Sequence, residues 1–295
     1  MGRLDGCVAI VTGAGRGLGR AHALCLAAEG ASVVVNDLGS ARDGGGSDCS
    51  PADAVVHEVR AAGGSAIADH GDVSDLDQAE RMVNTAVAEF GRLDAVVNNA
   101  GILRDRMLFN MSGEDWDAVM RVHLKGSFAL THHAVRHWRA LVKDGQQVDA
   151  RIVCTSSPSG LYGNVGQANY AAAKAGLVGF TLTLAKEVEK YGIAVNALSP
   201  GARTRMTEGL FDMDEGADLW APENVSPALA WLLSDAARGL TGTVLEVEAG
   251  WVGFAAPWTH GPRRRQTDRH WSVDDVDRVM PELWRDYRES VEDRQ

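Results

Sequence analysis

One stretch near the N-terminus constrains this chain more than any other: Thr12-Gly13-Ala14-Gly15-Arg16-Gly17-Leu18-Gly19. It follows a Val/Ile-rich run over 7–12 and opens an Ala/Leu-rich run over 18–29 that stops at Gly30. Glycines at this spacing let the backbone turn sharply and approach an anion with no Cβ in the way. A helix starting just past the turn aims its free amides and its positive dipole end at that anion. Strand, turn and helix in this order predict a dinucleotide phosphate site lined by Gly13, Arg16, Gly17, Leu18 and Gly19. Asp37, at the end of the next strand, stands where a ribose-binding acid is expected. A carboxylate there accepts hydrogen bonds from ribose hydroxyls and repels the added phosphate of NADP. Arg42 is five residues on, in a loop, so NAD is the expected coenzyme and NADP the less favoured one.

The strand-helix rhythm then repeats. Residues 31–36, 65–69, 94–98, 150–156, 193–198 and 243–247 read as strands, and 51–62, 75–90, 112–142, 167–191 and 226–234 as helices. The strands are apolar on both faces, as in a parallel sheet covered by helices on both sides. The expected fold class is α/β, a doubly wound parallel sheet, in one domain over 1–254 with a partly helical tail over 255–295. Two stretches break the rhythm. The connection over 39–50, with Gly44-Gly45-Gly46, is long for a βα loop and is expected to be a flexible surface loop. In the tail, Ser272 and Asp275 resemble a capping box, Pro281 is expected to break and restart the helix, and Trp271, Trp284 and Tyr287 are expected to dock the tail on its own domain or on a neighbouring subunit.

Composition narrows the function classes. With 295 residues, 45% of them hydrophobic, the chain can bury a full core. A net charge of -11 lacks the basic footprint of a nucleic-acid binder. No apolar run approaches the roughly 20 residues of a membrane helix, and residues 1–6 carry no signal-peptide core. Cys7, Cys25, Cys49 and Cys154 have no disulfide or metal spacing, and His132, His133 and His137 lack the ligand that would complete a metal site. A cytoplasmic, metal-free protein acting on a small molecule is expected.

Tyr170 and Lys174 are four residues apart, on one face of a helix. A free tyrosine, with a pKa of about 10, is a poor base near neutrality, and a neighbouring ammonium stabilises its phenolate. The pair is an acid/base device for an alcohol or carbonyl. Ser157 follows the fifth strand, at the sheet edge where such folds bind ligands, with a hydroxyl suited to a developing alkoxide; Ser156 and Ser159 are neighbours that compete for this role.

The glycine turn, Asn98-Asn99-Ala100-Gly101, Ser157, Tyr170, Lys174 and Ser199-Pro200-Gly201 together resemble the short-chain dehydrogenase/reductase family over roughly residues 3–254. The resemblance implies a Rossmann-type fold with Tyr170 as general acid/base. Lys174 would lower its pKa and hold the nicotinamide ribose, and Ser157 would polarise the substrate oxygen. It also implies that Asp72-Val73 flanks the adenine, Asn99-Ala100-Gly101 runs along the cofactor, and Pro200, Gly201 and Thr204 border the nicotinamide. His123, in Val122-His123-Leu124-Lys125-Gly126, stands where the family has an asparagine that links to the lysine through water; a relay role and a structural role are both open. Gly101-Ile102-Leu103-Arg104-Asp105 and the run over 160–170, which carries Tyr162 and Gln167 as substrate contacts, are similar to the (3R)-hydroxyacyl-CoA dehydrogenase part of peroxisomal multifunctional enzymes. That branch implies NAD-dependent oxidation of a 3-hydroxyacyl thioester or a related lipid or sterol alcohol, in a homodimer or homotetramer. A CoA ester would need local cations, for which Arg104, Arg106, Arg203, Arg205 and the tail arginines are candidates. A ketoacyl or other carbonyl reductase and a non-catalytic nicotinamide sensor are the alternatives; Asp37 speaks against the first, and the intact Ser157, Tyr170 and Lys174 against the second.

Overall fold

The computed structural model describes residues 2–203, 218–256, 258–267 and 270–292. Eight strands form one sheet: β1 (Val8–Thr12), β2 (Ser32–Asn36), β3 (Ser65–Asp69), β4 (Ala95–Asn98), β5 (Ala150–Thr155), β6 (Ile193–Gly201), β7 (Val244–Glu248) and β8 (Trp251–Ala255). Their order is β3-β2-β1-β4-β5-β6-β7-β8, all parallel except β8. The chain winds outward from β1 in one direction and from β4 in the other, so the connections diverge at the carboxyl ends of these two strands and leave a crevice there.

The strand faces explain the layers. Val8 and Ile10 of β1 pack on one side, into a cluster with Leu130, Trp138 and Leu177. Ala9 and Val11 pack on the other, with Leu26 and Leu229. The first side is covered by α3 (Leu76–Phe90), α5 (Gly126–Lys143) and α7 (Ala168–Val188), the second by α1 (Gly17–Ala28), α2 (Ser50–Ala61) and α8 (Ser226–Leu233). Helix starts follow local chemistry. Asp75 accepts from the Gln78 amide at 2.9 Å to cap α3, and Ser112 with Asp115 forms a capping box at α4 (Gly113–Met120).

Four expectations need correction. The single helix over 112–142 is α4 and α5 joined by a π-turn, Arg121–Lys125, centred on His123. The Gly126 amide donates to the carbonyls of Arg121 and His123, and the Ser127 hydroxyl donates to the His123 carbonyl at 2.7 Å. Second, 243–247 is not the last strand. Ala249 (φ 43°) and Gly250 (φ 83°) turn the chain back into antiparallel β8; both turn residues are left-handed, a conformation that alanine signals poorly. Third, the loop over 39–50 is tied down. The Leu103 amide donates to the Arg42 carbonyl at 3.0 Å, and Arg104 Nε donates to the Asp43 carbonyl at 2.8 Å.

The fourth concerns the second compact unit, residues 256–295. Its helix α9 (Val273–Glu292) runs through Pro281 without a break, since the turns on either side supply the remaining hydrogen bonds. The capping box at its start is present, with the Asp275 amide donating to Ser272 Oγ at 3.2 Å. In the single chain Trp271, Trp284 and Tyr287 are exposed; Trp284 stacks on Tyr287 at 5.9 Å, and Arg264 binds Glu282 at 2.7 Å.

Candidate functional site

A cleft of about 590 Å³ opens at the carboxyl ends of β1 and β4. Gly13, Arg16, Gly17, Leu18 and Gly19 form one wall. Gly13 has φ +62°, and a Cβ on it would lie 2.8 Å from the Ala100 Cα, so the turn and the β4 loop meet only because a side chain is missing. Asn99 locks the two together: its Nδ2 donates to the Thr12 carbonyl at 2.8 Å, while Thr12 Oγ1 accepts from the amides of Asn99 (2.9 Å) and Ala100 (3.0 Å). Arg16, the N-cap of α1, gives no side-chain cap, which leaves the first amides of the helix to an anion.

Asp37 sits at the far end of this wall. Its Oδ2 accepts from the Gly15 amide at 2.7 Å and its Oδ1 from the Gly39 amide at 2.6 Å, so the carboxylate both shapes the glycine turn and faces the cleft. Ser40, Ala41 and Gly44 of the 39–50 loop line the cleft beside it, as do Asp72 and Val73. Asp72 accepts from the Ser74 amide at 2.8 Å and lies 3.8 Å from Arg121.

At the other end β5, the π-turn and α7 bring together residues far apart in sequence. Ser156 Oγ donates to the Lys174 carbonyl at 3.0 Å, and Ser159 Oγ donates to Gln167 Oε1 at 2.8 Å. Both rival hydroxyls are thus committed elsewhere. Ser157 caps α6 (Pro158–Tyr162) by accepting from the Ser159 amide at 3.2 Å, and it lines the cleft together with Tyr170. Lys174 Nζ donates to the Thr155 carbonyl at 2.6 Å and lies 5.5 Å from the Tyr170 ring centre. Burial dominates both titrations. It pushes the Tyr170 phenol up to about 12, against the pull of the Ser157 hydrogen bond, and the Lys174 ammonium down to about 7.

His123 lines the same end and is buried edge-on to Tyr170, with ring centres 5.3 Å apart. Its Nε2 lies 3.1 Å from the Ile102 amide nitrogen and 2.9 Å from the Ile102 carbonyl oxygen; one ring nitrogen satisfies one of these at a time. Its Nδ1 is buried with no partner among the described residues. A Cβ on Gly101 would be 2.5 Å from the imidazole Cε1, so Gly101 is the space that the ring occupies. Burial first, and the Lys174 charge second, hold the His123 pKa down at about 3, so the imidazole is neutral. Asn169, which sequence reasoning missed, is fully buried and donates to the carbonyls of Arg104 (3.0 Å) and Asp115 (3.2 Å), fixing the start of α7 just before Tyr170. Its signal was a polar residue on the buried face of an apolar helix.

The cradle at the glycine turn, the open helix start and the buried tyrosine-lysine pair fit a nicotinamide dinucleotide. Residues 7–215 match the family described as short chain dehydrogenase. The chain belongs to the short-chain dehydrogenase/reductase family. It is an oxidoreductase acting on CH–OH groups with a nicotinamide cofactor. It is 48% identical over 276 residues to hydroxyacyl-CoA dehydrogenase ChsB1 of Mycobacterium tuberculosis, covering 90% of this chain and 84% of that one. It is 48% identical over 251 residues to mouse peroxisomal multifunctional enzyme type 2, covering 85% of this chain but only 33%, about a third, of that protein's length. A solved short chain dehydrogenase from Mycobacterium avium is 52% identical, covers 97% of each chain and superposes with a TM-score of 0.87. Another, from Burkholderia cenocepacia in complex with NADP, is 32% identical, covers 84% of this chain and 98% of its own, and has a TM-score of 0.71.

The rest of this dehydrogenase/reductase site sorts unevenly. Asn99, Ala100, Gly101, Gln167, Pro200 and Gly201 line the cleft. Tyr162 does not: it is exposed, and its hydroxyl donates to Glu246 Oε1 at 2.8 Å. Thr204 and Arg205 lie outside the described residues. Arg104, Arg106 and Arg203, among the candidate phosphate-binding arginines, are engaged within the protein. Arg104 lies 3.7 Å from Asp115, Arg106 donates to the Asp105 carbonyl at 2.8 Å, and Arg203 pairs with Asp218. Among the described residues no helix is long and apolar enough to cross a membrane.

Proposed function

We propose that this protein oxidises a 3-hydroxyacyl-CoA, or a closely related lipid-derived secondary alcohol, to the 3-keto form with NAD. The observation that carries the reading is that Ser157, Tyr170 and Lys174 line one end of a cleft whose other end is the glycine turn with Asp37. The hydroxyacyl-CoA dehydrogenases among its relatives supply the substrate class. A bound NAD would supply the hydride acceptor for the carbinol carbon, so that the alcohol becomes a carbonyl as NAD becomes NADH. Ser157 holds the substrate oxygen by hydrogen bonding. Tyr170 takes the hydroxyl proton as its phenolate and returns one as its phenol in the reverse reaction. Lys174 would donate to the ribose of the nicotinamide half and to the proton path behind Tyr170. The glycine turn and the first amides of α1 would hold the pyrophosphate, Asp37 the adenosine ribose, and Asp72 and Val73 the adenine. Pro200 and Gly201 would border the nicotinamide. By the same kinship the protein forms a homodimer or homotetramer.

NAD over NADP rests on Asp37: a 2′-phosphate beside a carboxylate already turned into the cleft is repelled. Purified protein is assayed with NAD and with NADP against 3-hydroxyacyl-CoAs, sterols and simple alcohols. The expected result is turnover of the acyl thioesters with NAD, at a kcat/KM at least about tenfold above that with NADP, a difference of about 1.4 kcal/mol. A preference for NADP overturns the Asp37 reading. Turnover of sterols with none of the thioesters overturns the substrate class.

A further inference from the structure

Asp105 is a carboxylate one layer behind the tyrosine end of the cleft, and none of the roles above uses it. Gln167 Nε2 donates to Asp105 Oδ2 at 2.9 Å, and Asp105 Oδ1 is buried with no hydrogen-bond partner among the described residues. The contact is built in by the backbone: the Arg106 amide donates to the Gly166 carbonyl at 2.8 Å, and residues 106 and 167 form an isolated parallel bridge. We propose that Asp105 is a positioning residue that orients Gln167 for the substrate. The inference rests on the reading of this cleft as the substrate site.

The orienting role follows from what each group can offer. A carboxamide has a donor end and an acceptor end of nearly the same shape. Two donors, the Ser159 hydroxyl at 2.8 Å and Asn164 Nδ2 at 3.0 Å, face Gln167 Oε1. Ionised Asp105 can only accept, so it admits one orientation of the amide. That orientation commits the Ser159 hydroxyl to Gln167, while the Ser159 amide binds Ser157 Oγ. The chain Asp105–Gln167–Ser159–Ser157 therefore runs from a fixed charge to the hydroxyl that meets the substrate oxygen.

Asp105→Leu removes the acceptor, and Asp105→Asn keeps an oxygen that can take the Gln167 donor without enforcing one orientation. With wild type turning over an acyl thioester, Asp105→Leu and Gln167→Ala are each expected to raise KM several-fold with kcat little changed, the double variant to raise it no further, and Asp105→Asn to recover part of the loss. Asp105→Ser serves should Asp105→Leu fail to fold. Additive losses in the double variant, or an unchanged KM in Asp105→Leu, overturn the orienting role. Absence of turnover by wild type overturns the reading of the cleft instead.

Discussion

The two ends of the cleft are made of different materials. The glycine end is backbone: Gly13 fits against Ala100 because it lacks a Cβ, Asn99 and Thr12 tie main chain to main chain, and the open amides of α1 face the space. The tyrosine end is side chains delivered by β5, α7 and a π-turn, with Tyr170 pushed up to about 12 and Lys174 down to about 7 by burial. One end depends on what is absent from a short stretch, the other on charges from elements remote in sequence. Substitutions should therefore separate binding from chemistry according to the end they touch.

Tyr170→Phe tests that separation with the largest effect. It removes the only atom in the proposal that moves the substrate proton, so kcat is expected to fall about 10²- to 10⁴-fold. The dissociation constant for NAD, read by calorimetry, should stay within about threefold of wild type. An equal loss in both would mean that the ends are not separable.

Gly13→Ala is the mirror experiment. Its φ of +62° disfavours any Cβ, and the new methyl would sit 2.8 Å from the Ala100 Cα. The strain costs about 1–2 kcal/mol, and the displaced turn should weaken NAD at least about tenfold with a smaller change in kcat at saturating NAD. Urea unfolding and calorimetry read the two losses. A variant that binds NAD normally would show that the close approach is not what shapes the phosphate site.

The same contrast explains what was legible in the sequence. The strand-helix alternation and the glycine turn are local patterns, and the sheet with its crevice followed from them. Tyr170 and Lys174 were legible because i and i+4 share a helix face, and Ser157 because it ends a strand. What was hidden is tertiary. Nothing local says that Ser156 and Ser159 would be committed to Lys174 and Gln167, that Asn169 would anchor α7, or that the helix over 112–142 would widen into a π-turn. Tyr162 pointed the wrong way for the same reason: a five-residue helix has two sides, and the sequence does not say which one meets the cleft.

His123 lies on the border between the two kinds of construction, and His123→Asn has the smallest expected effect on rate. The ring is buried in a turn that Gly101 makes room for, which is a packing role, yet it lies edge-on to Tyr170 with Nδ1 free of any partner among the described residues. Its pKa in the folded protein, about 3, is depressed from 6.5. Between those values the unfolded chain binds a proton that the native state refuses, so stability is lost as pH falls from 6.5 toward 3. Asparagine has no such proton. From pH 7 to pH 4.5 wild type should lose about 2 kcal/mol more than His123→Asn in urea unfolding. His22, also buried and held at about 3, is common to both proteins and cancels from the comparison. If the ring is packing, kcat changes by no more than a few-fold, because an amide can occupy the same turn and offer both a donor and an acceptor. If kcat instead falls toward the Tyr170→Phe level while the acid stability improves as expected, the imidazole takes part in proton transfer. A neutral ring at pH 7 would then have to pass the proton through, gaining it on one nitrogen as it releases it from the other, rather than store it as imidazolium.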